Sequence, residues 1–217
     1  MPKRFPIAFV VPLISAFLIV SEVSADLIPF SSLSIESNTL GERQNFVAAG
    51  MINGSGLPSY HPGALHDRRV GGANGNWWLS SENNTTGTVV FDLGSEVLIN
   101  QFFLWNESTV TGQQLNEIQI ETSLAPNSGF TFTSLGSGLL DANTPGSFGQ
   151  SDPIPAISFD FQPVAARYFR LSIISNNGAT NFTGIAEVGF NSVPEPGALA
   201  LSCIASLAIV SRRRRRQ

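Results

Sequence analysis

ISFDFQPVAARYFRLSII, Ile157 to Ile174, holds two alternating runs: Ile157, Phe159 and Phe161 are spaced by Ser158 and Asp160, and Phe169, Leu171 and Ile173 by Arg170 and Ser172. Consecutive side chains of a strand point to opposite faces, so a period of two means one buried face and one wet face. Arg167 and Arg170 read as structural, as partners for acids on neighbouring strands. The same period recurs outward from this stretch. Val89, Phe91 and Leu93 share one face of Thr88 to Leu93, and Leu98 to Trp105 is nearly continuous apolar strand. Ile118 and Ile120 point inward from Glu117 to Thr122; Phe130 and Phe132 belong to the next strand, and Ala186, Val188 and Phe190 close the set. Roughly seven or eight short strands with Gly, Asn and Ser turns and no crossover helix predict two sheets packed face to face, a jelly roll. Asn143 to Pro155 reads as a connecting loop.

The chain has 217 residues, enough for one domain of ordinary size. Charged residues make up 13%, so Ser, Thr, Asn and Gly furnish much of the surface. The net charge of -4 hides a division, because Lys3, Arg4 and Arg212 to Arg216 all lie in the terminal segments. Between Asp26 and Val193, five arginines face fourteen acids and no lysine occurs. An acidic body of this kind cannot neutralise phosphates, which excludes nucleic acid as the main partner. The single cysteine, Cys203, rules out an intramolecular disulfide and a thiolate metal cluster.

Residues 1–25 read as a secretory signal peptide, with Lys3 and Arg4 leading, Ile7 to Val20 apolar, and Val23, Ser24 and Ala25 as the cleavage site. The alternative, an N-terminal anchor, has Pro12 within an apolar run shorter than the ~20 residues that span a bilayer. Residues 26–192 form the domain. Residues 193–217 hold Pro194, Glu195 and Pro196, an uncharged stretch from Gly197 to Val210, and then Arg212, Arg213, Arg214, Arg215 and Arg216. This order resembles the PEP-CTERM sorting signal, which implies a transmembrane helix, a transient membrane anchor and cutting by an exosortase after export. The arginine cluster supports that orientation independently, since it resists translocation and stays cytoplasmic. A permanent tail anchor is the other reading; the apolar run is short for either, rising about 21 Å as a helix.

MINGSGL, ALHDRRVGGANGNWWLSS, GTVVFDLGSEVLINQFFLWN, ARYFRLSIIS and GIAEVGF stand in the order found in discoidin-like domains, the coagulation factor 5/8 type C family of the galactose-binding-like superfamily. The resemblance implies an eight-stranded jelly roll that binds glycans, lipids or proteins through loops at one end. It also implies a structural calcium between an early loop, here Asn53 and Gly54, and a late glutamate, here Glu187. Asn53 stands where the family commonly has an aspartate.

For a sugar ring, an aromatic face and planar hydrogen-bonding groups are needed, and His61, His66, Arg68, Arg69, Trp77 and Asn176 supply that chemistry. Trp78 is read as core and Trp77 as its exposed neighbour. His61, His66 and Asp67 match no zinc-ligand spacing, and neither a Gly-x-Ser-x-Gly elbow nor a His-Glu-x-x-His helix accompanies them, so no catalytic residue is assigned. The expectation is an exported, non-catalytic protein of the cell surface or extracellular matrix, binding extracellular polysaccharide or a cell-surface glycan. The alternative is a structural or adhesive protein-binding module without a sugar site.

Overall fold

The computed structural model describes residues 26–67, 75–107, 110–125, 132–140 and 154–193. The expected signal peptide, the sorting segment from Pro194 to Arg216, Phe130, and Arg68 and Arg69 lie outside them. Eight strands run in chain order: β1 (Asp26–Leu27), β2 (Ser34–Asn38), β3 (Trp78–Leu79), β4 (Gly87–Asn106), β5 (Leu115–Ser123), β6 (Thr133–Leu139), β7 (Ile157–Asn176) and β8 (Gly184–Ser192). Among the described residues the only helical pieces are short 3-10 turns, so the all-β expectation holds.

One expectation needs correcting. The separate strands read at Thr88 to Leu93 and Leu98 to Trp105 are one strand, β4, and the two runs of Ile157 to Ile174 are likewise one, β7; each has 20 residues. The two pair antiparallel from Gly87↔Ile173 to Leu104↔Ile157, with register shifts between Asp92 and Val97 and between Ile99 and Gln101. Extra residues at such shifts bend and twist a strand without ending it. Gly94 lies within the first shift at φ +85, where a Cβ would sit 2.6 Å from the Ser32 carbonyl oxygen. Only glycine fits that close approach.

The eight strands are not the two separate sheets expected but one hydrogen-bonded sheet, in the order β1-β8-β4-β7-β5-β6 with β2 on β4 and β3 on β8, and the bend in β4 and β7 folds it into two layers. Their Gly87–Asp92 and Tyr168–Asn176 parts join β2, β5 and β6, while the Ile99–Asn106 part of β4 joins β8, which carries β1 and β3 on its other side. Phe91 and Phe169 from the first layer meet Phe102 and Phe190 from the second: ring centroids lie 4.7 Å apart for Phe102 and Phe169, 4.9 Å for Phe169 and Phe190, and 5.8 Å for Phe91 and Phe190. All four rings are fully buried. Each contributes about 1.5–3 kcal/mol by leaving water, with a further ~0.5–1.5 kcal/mol per well-placed aromatic pair.

A second apolar cluster lies on the other face of β4, where Phe103 and Trp105 alternate with Phe102 and Leu104. They pack with Trp77, Leu79, Ile154 and Ala186, and Phe46 and Leu57 from the preceding loops cover them. The arginines of β7 take up the structural role expected of them: Arg167 pairs with Asp92 at 3.1 Å, and Arg170 with Glu121 at 2.6 Å.

Candidate functional site

The strand registers define two poles. At one, β4 ends at Asn106 beside Ile185 near the start of β8, β7 ends at Asn176 beside Leu115 at the start of β5, and Asn38 closes β2 opposite Val89. The loop residues gathered here are 39–46, 80–86, 107, 110–114 and 177–183. At the other pole Asp26 pairs with Ser192, and the Val193 amide donates to the Leu98 carbonyl at 2.7 Å.

Backbone and side-chain hydrogen bonds lace the loop pole together. The Ser80 amide donates to the Thr183 carbonyl (2.9 Å), and the Thr183 amide returns to Ser80 Oγ (3.0 Å). Thr183 Oγ1 donates to the Gln113 carbonyl at 3.1 Å, and the Asn83 amide to the Asn181 carbonyl at 2.7 Å. Glu107 is fully buried and its Oε2 accepts from the Val110 amide at 2.6 Å, closing its own loop. Above these loops the Arg43 guanidinium lies over two rings, 4.6 Å from the centre of Phe182 and 5.7 Å from that of Phe46.

A second constellation sits behind the β8 layer. Glu187, opposite Trp105 in the sheet, is fully buried, and neither carboxylate oxygen has a hydrogen-bond partner. Burial holds its pKa well above the ordinary carboxylate value; the backbone amides of Gly54 and Asn53 pull the other way without completing a bond. The loop reaches Glu187 because Gly54 adopts φ +68 with its Cα against the Phe30 ring, where a Cβ would meet ring carbons at 2.7 Å. Tyr60 packs against Phe30 with the rings tilted 37° and their centroids 3.9 Å apart, and burial raises its phenol pKa well above the usual value. An unpaired buried carboxylate costs several kcal/mol if ionised, so such a group protonates or meets a cation. Among the described residues no three His, Cys, Asp or Glu side chains converge on a point. A cation here would therefore take one carboxylate and neutral oxygens, a donor set that suits a hard ion such as calcium.

With this geometry in view, the F5/8 type C domain model matches residues 52–188. The chain belongs to that family. The PEP-CTERM protein-sorting motif matches residues 192–216. Among solved structures, the F5/8 type C domain resembles the family 32 carbohydrate-binding module of Clostridium perfringens NanJ, solved in complex with galactose: 15% identity, 78% of this chain, 100% of that one, TM-score 0.53. It also resembles CBM32-3 from a family 31 glycoside hydrolase of Clostridium perfringens, at 18% identity over 76% of this chain and 94% of that one, TM-score 0.57. The C-terminal domain of a Bacteroides fragilis chitobiase aligns at 18% identity over 78% and 100%, TM-score 0.53. These likenesses show the fold. The curated proteins contain no match.

Within the F5/8 type C domain the residues expected to bind ligand fare differently from one another. Asn53, Gly54 and Glu187 do come together, although Asn53 Oδ1 accepts from the Ser55 amide at 2.7 Å. Trp77 is not exposed: it alternates with Trp78 as expected, but the outer face of its layer is roofed by the loops carrying Phe46 and Leu57, so both tryptophans are fully buried. His66 is likewise buried, its backbone paired with Ile154 and its ring edge-on to Trp77 at 5.9 Å. Burial lowers its pKa, outweighing the Asp67 carbonyl 2.7 Å from Nδ1. Asn176 serves its own turn, with Nδ2 donating to the carbonyls of Ala179 and Phe182, both at 3.0 Å, and Oδ1 accepting from the Gly178 amide. His61 is exposed, and its Nδ1 accepts from the Gly63 amide at 2.9 Å. Sequence reasoning missed Arg43, because Phe182 is far away in the chain and only the fold places them together.

Proposed function

We propose that this protein is an exported, non-catalytic carbohydrate-binding protein, sorted through its C-terminal motif and docking extracellular polysaccharide at the loop pole. The observation that carries the reading is the division of the sandwich. The loops cluster at one end, and the chain leaves toward Pro194, Glu195 and Pro196 from the other. Family membership and the likeness in fold to carbohydrate-binding modules support the same reading.

The loop-pole chemistry agrees. A polysaccharide needs fixed donors and acceptors on a surface that does not reorganise on binding. The bonds from Ser80 to Thr183 and from Asn83 to Asn181 hold that surface rigid. Glu187 with the Asn53–Gly54 loop holds a structural calcium in this proposal, and the ion supplies charge compensation that ties the loop to β8. The sorting motif hands the chain to an exosortase, with Arg212 to Arg216 remaining on the cytoplasmic side until the tail is cut.

Binding of the purified full-length protein to an array of polysaccharides and cell-surface glycans tests the function. Retention by at least one polysaccharide is expected. Retention by proteins of the matrix and by no glycan would replace this reading with an adhesive one. Mass spectrometry of the protein from its native host tests the sorting, which predicts a product lacking Arg212 to Arg216.

A further inference from the structure

Arg43 stands apart from the other arginines of the described residues. Arg167 and Arg170 each grip a carboxylate, Asp92 and Glu121 respectively. Among the described residues Arg43 enters neither of the ion pairs and donates no side-chain hydrogen bond, yet it is held in place. Its amide donates to the Leu79 carbonyl at 2.9 Å and its carbonyl accepts from the Phe46 amide at 2.9 Å, closing a turn in which Asn45 takes φ 69. The guanidinium then rests over Phe182 and Phe46. Cation–π contact engages the flat face of such a group and spares its edge, a planar fork of five N–H donors, and Arg43 is an exposed residue. Side-chain ordering is already achieved before any ligand arrives, so binding costs less.

A planar fork of this kind matches a carboxylate through two parallel hydrogen bonds, which a neutral hydroxyl pair reproduces less well. The local acids do not satisfy it. Glu42 accepts from the Ala48 amide at 2.8 Å instead, and Glu82, in the adjoining loop, makes no ion pair with Arg43. The acidic body repels a polyanion at long range, but at physiological ionic strength charges beyond about 8 Å are largely screened, so the contact is decided by groups beside Arg43. Exposed Asn83 and Asn181 stand on the two neighbouring loops and supply amide groups for sugar hydroxyls.

We propose that Arg43 is the residue through which the loop pole selects a carboxylate-bearing sugar, a uronic acid unit, within its polysaccharide. The proposal rests on the polysaccharide-binding reading above and narrows it to one chemical class.

The experiment uses full-length protein at physiological ionic strength with polygalacturonate, alginate and hyaluronate, the methyl ester of each, dextran sulfate, and neutral galactan and dextran. Isothermal titration and affinity electrophoresis read the binding. At least one acidic polymer should bind, and masking its carboxylates as esters should weaken it about tenfold or more, the loss of a charge-assisted bidentate contact. Arg43→Ala should give a comparable loss, and Arg43→Lys should recover only part, since a point charge lacks the fork. Melting temperatures report folding, and if Arg43→Ala melts early the Arg43→Lys comparison stands in its place. Ester or neutral polymer bound as tightly as the acid, with no effect of either variant, overturns the role of Arg43 while leaving polysaccharide binding intact. Dextran sulfate bound as well as any carboxylated polymer overturns the selectivity. Binding to no polymer of any class overturns both readings together.

Discussion

Arg167 grips Asp92 across the β4–β7 pair with two near-parallel hydrogen bonds, Nε to Oδ1 at 3.2 Å and Nη2 to Oδ2 at 3.1 Å. The clamp closes where β4 bends from one layer toward the other, and Asp92 Oδ1 also accepts from the Gly94 amide at 2.9 Å. Burial alone would raise the Asp92 pKa; the Arg167 guanidinium and the Gly94 amide outweigh it and hold it below its ordinary value. A depressed carboxylate stabilises the fold above its unfolded pKa, and that contribution disappears as pH falls through the folded one. Stability should therefore decline as pH drops below about 3.8, and Asp92→Asn should flatten that part of the urea-denaturation profile. Asp92→Ala should destabilise more than Arg167→Ala, because the aspartate is the more buried partner and also serves the bend.

Trp77 gives a test that separates core from ligand contact. It fills the small cluster behind β4 and β8, so Trp77→Ala should cost about 3–5 kcal/mol in chemical denaturation. Were Trp77 a sugar platform, the variant would fold with near-native stability and lose only binding.

Glu187 should make stability depend on calcium. Added calcium should raise the melting temperature of the wild type and leave Glu187→Gln unmoved, because the variant removes the one buried carboxylate facing the Asn53–Gly54 loop. Without calcium at neutral pH, Glu187→Gln should be at least as stable as the wild type, since the neutral amide needs neither a proton taken up nor a cation to offset a buried carboxylate. A wild type indifferent to calcium would remove the ion from the account.

His66 carries the opposite kind of pH signature from a surface histidine. Its pKa is lowered by burial, so the unfolded chain binds a proton more readily than the folded one as pH falls below about 6.5. The stability advantage of wild type over His66→Asn should shrink from neutral pH toward pH ~5, measured by denaturant titration at each pH.

The two-residue period at Val89, Phe91 and Leu93, and at Phe169, Leu171 and Ile173, was enough to assign faces, because burial on one side of a strand dictates that pattern. It did not reveal that these runs continue into the next ones. A bulge near Asp92 and Val97 carries the strand through its bend, and no periodicity marks that continuity. Arg167 and Arg170 were legible as ion-pair partners because a charged residue on a strand flanked on both sides meets side chains of the neighbouring strands, and acids stand there. Trp77 was misjudged for a matching reason: alternation tells which face a residue takes, not whether a loop from elsewhere covers that face. Asn53, Gly54 and Glu187 could be grouped only through family resemblance, since their meeting depends on the loop that Gly54 turns.

The pairing of Asp26 with Ser192 has a consequence for timing. In a chain threaded N-terminus first through an export channel, β1 emerges at the outset and waits for β8, which also supplies a neighbour to β3 and β4. The sandwich cannot lock until the last strand is out, and the residues that follow immediately behind it are those of the sorting motif. On the proposed export route, completion of the fold and arrival of the sorting motif would then be nearly simultaneous, and a cutting enzyme would meet a substrate whose cargo had only just become compact.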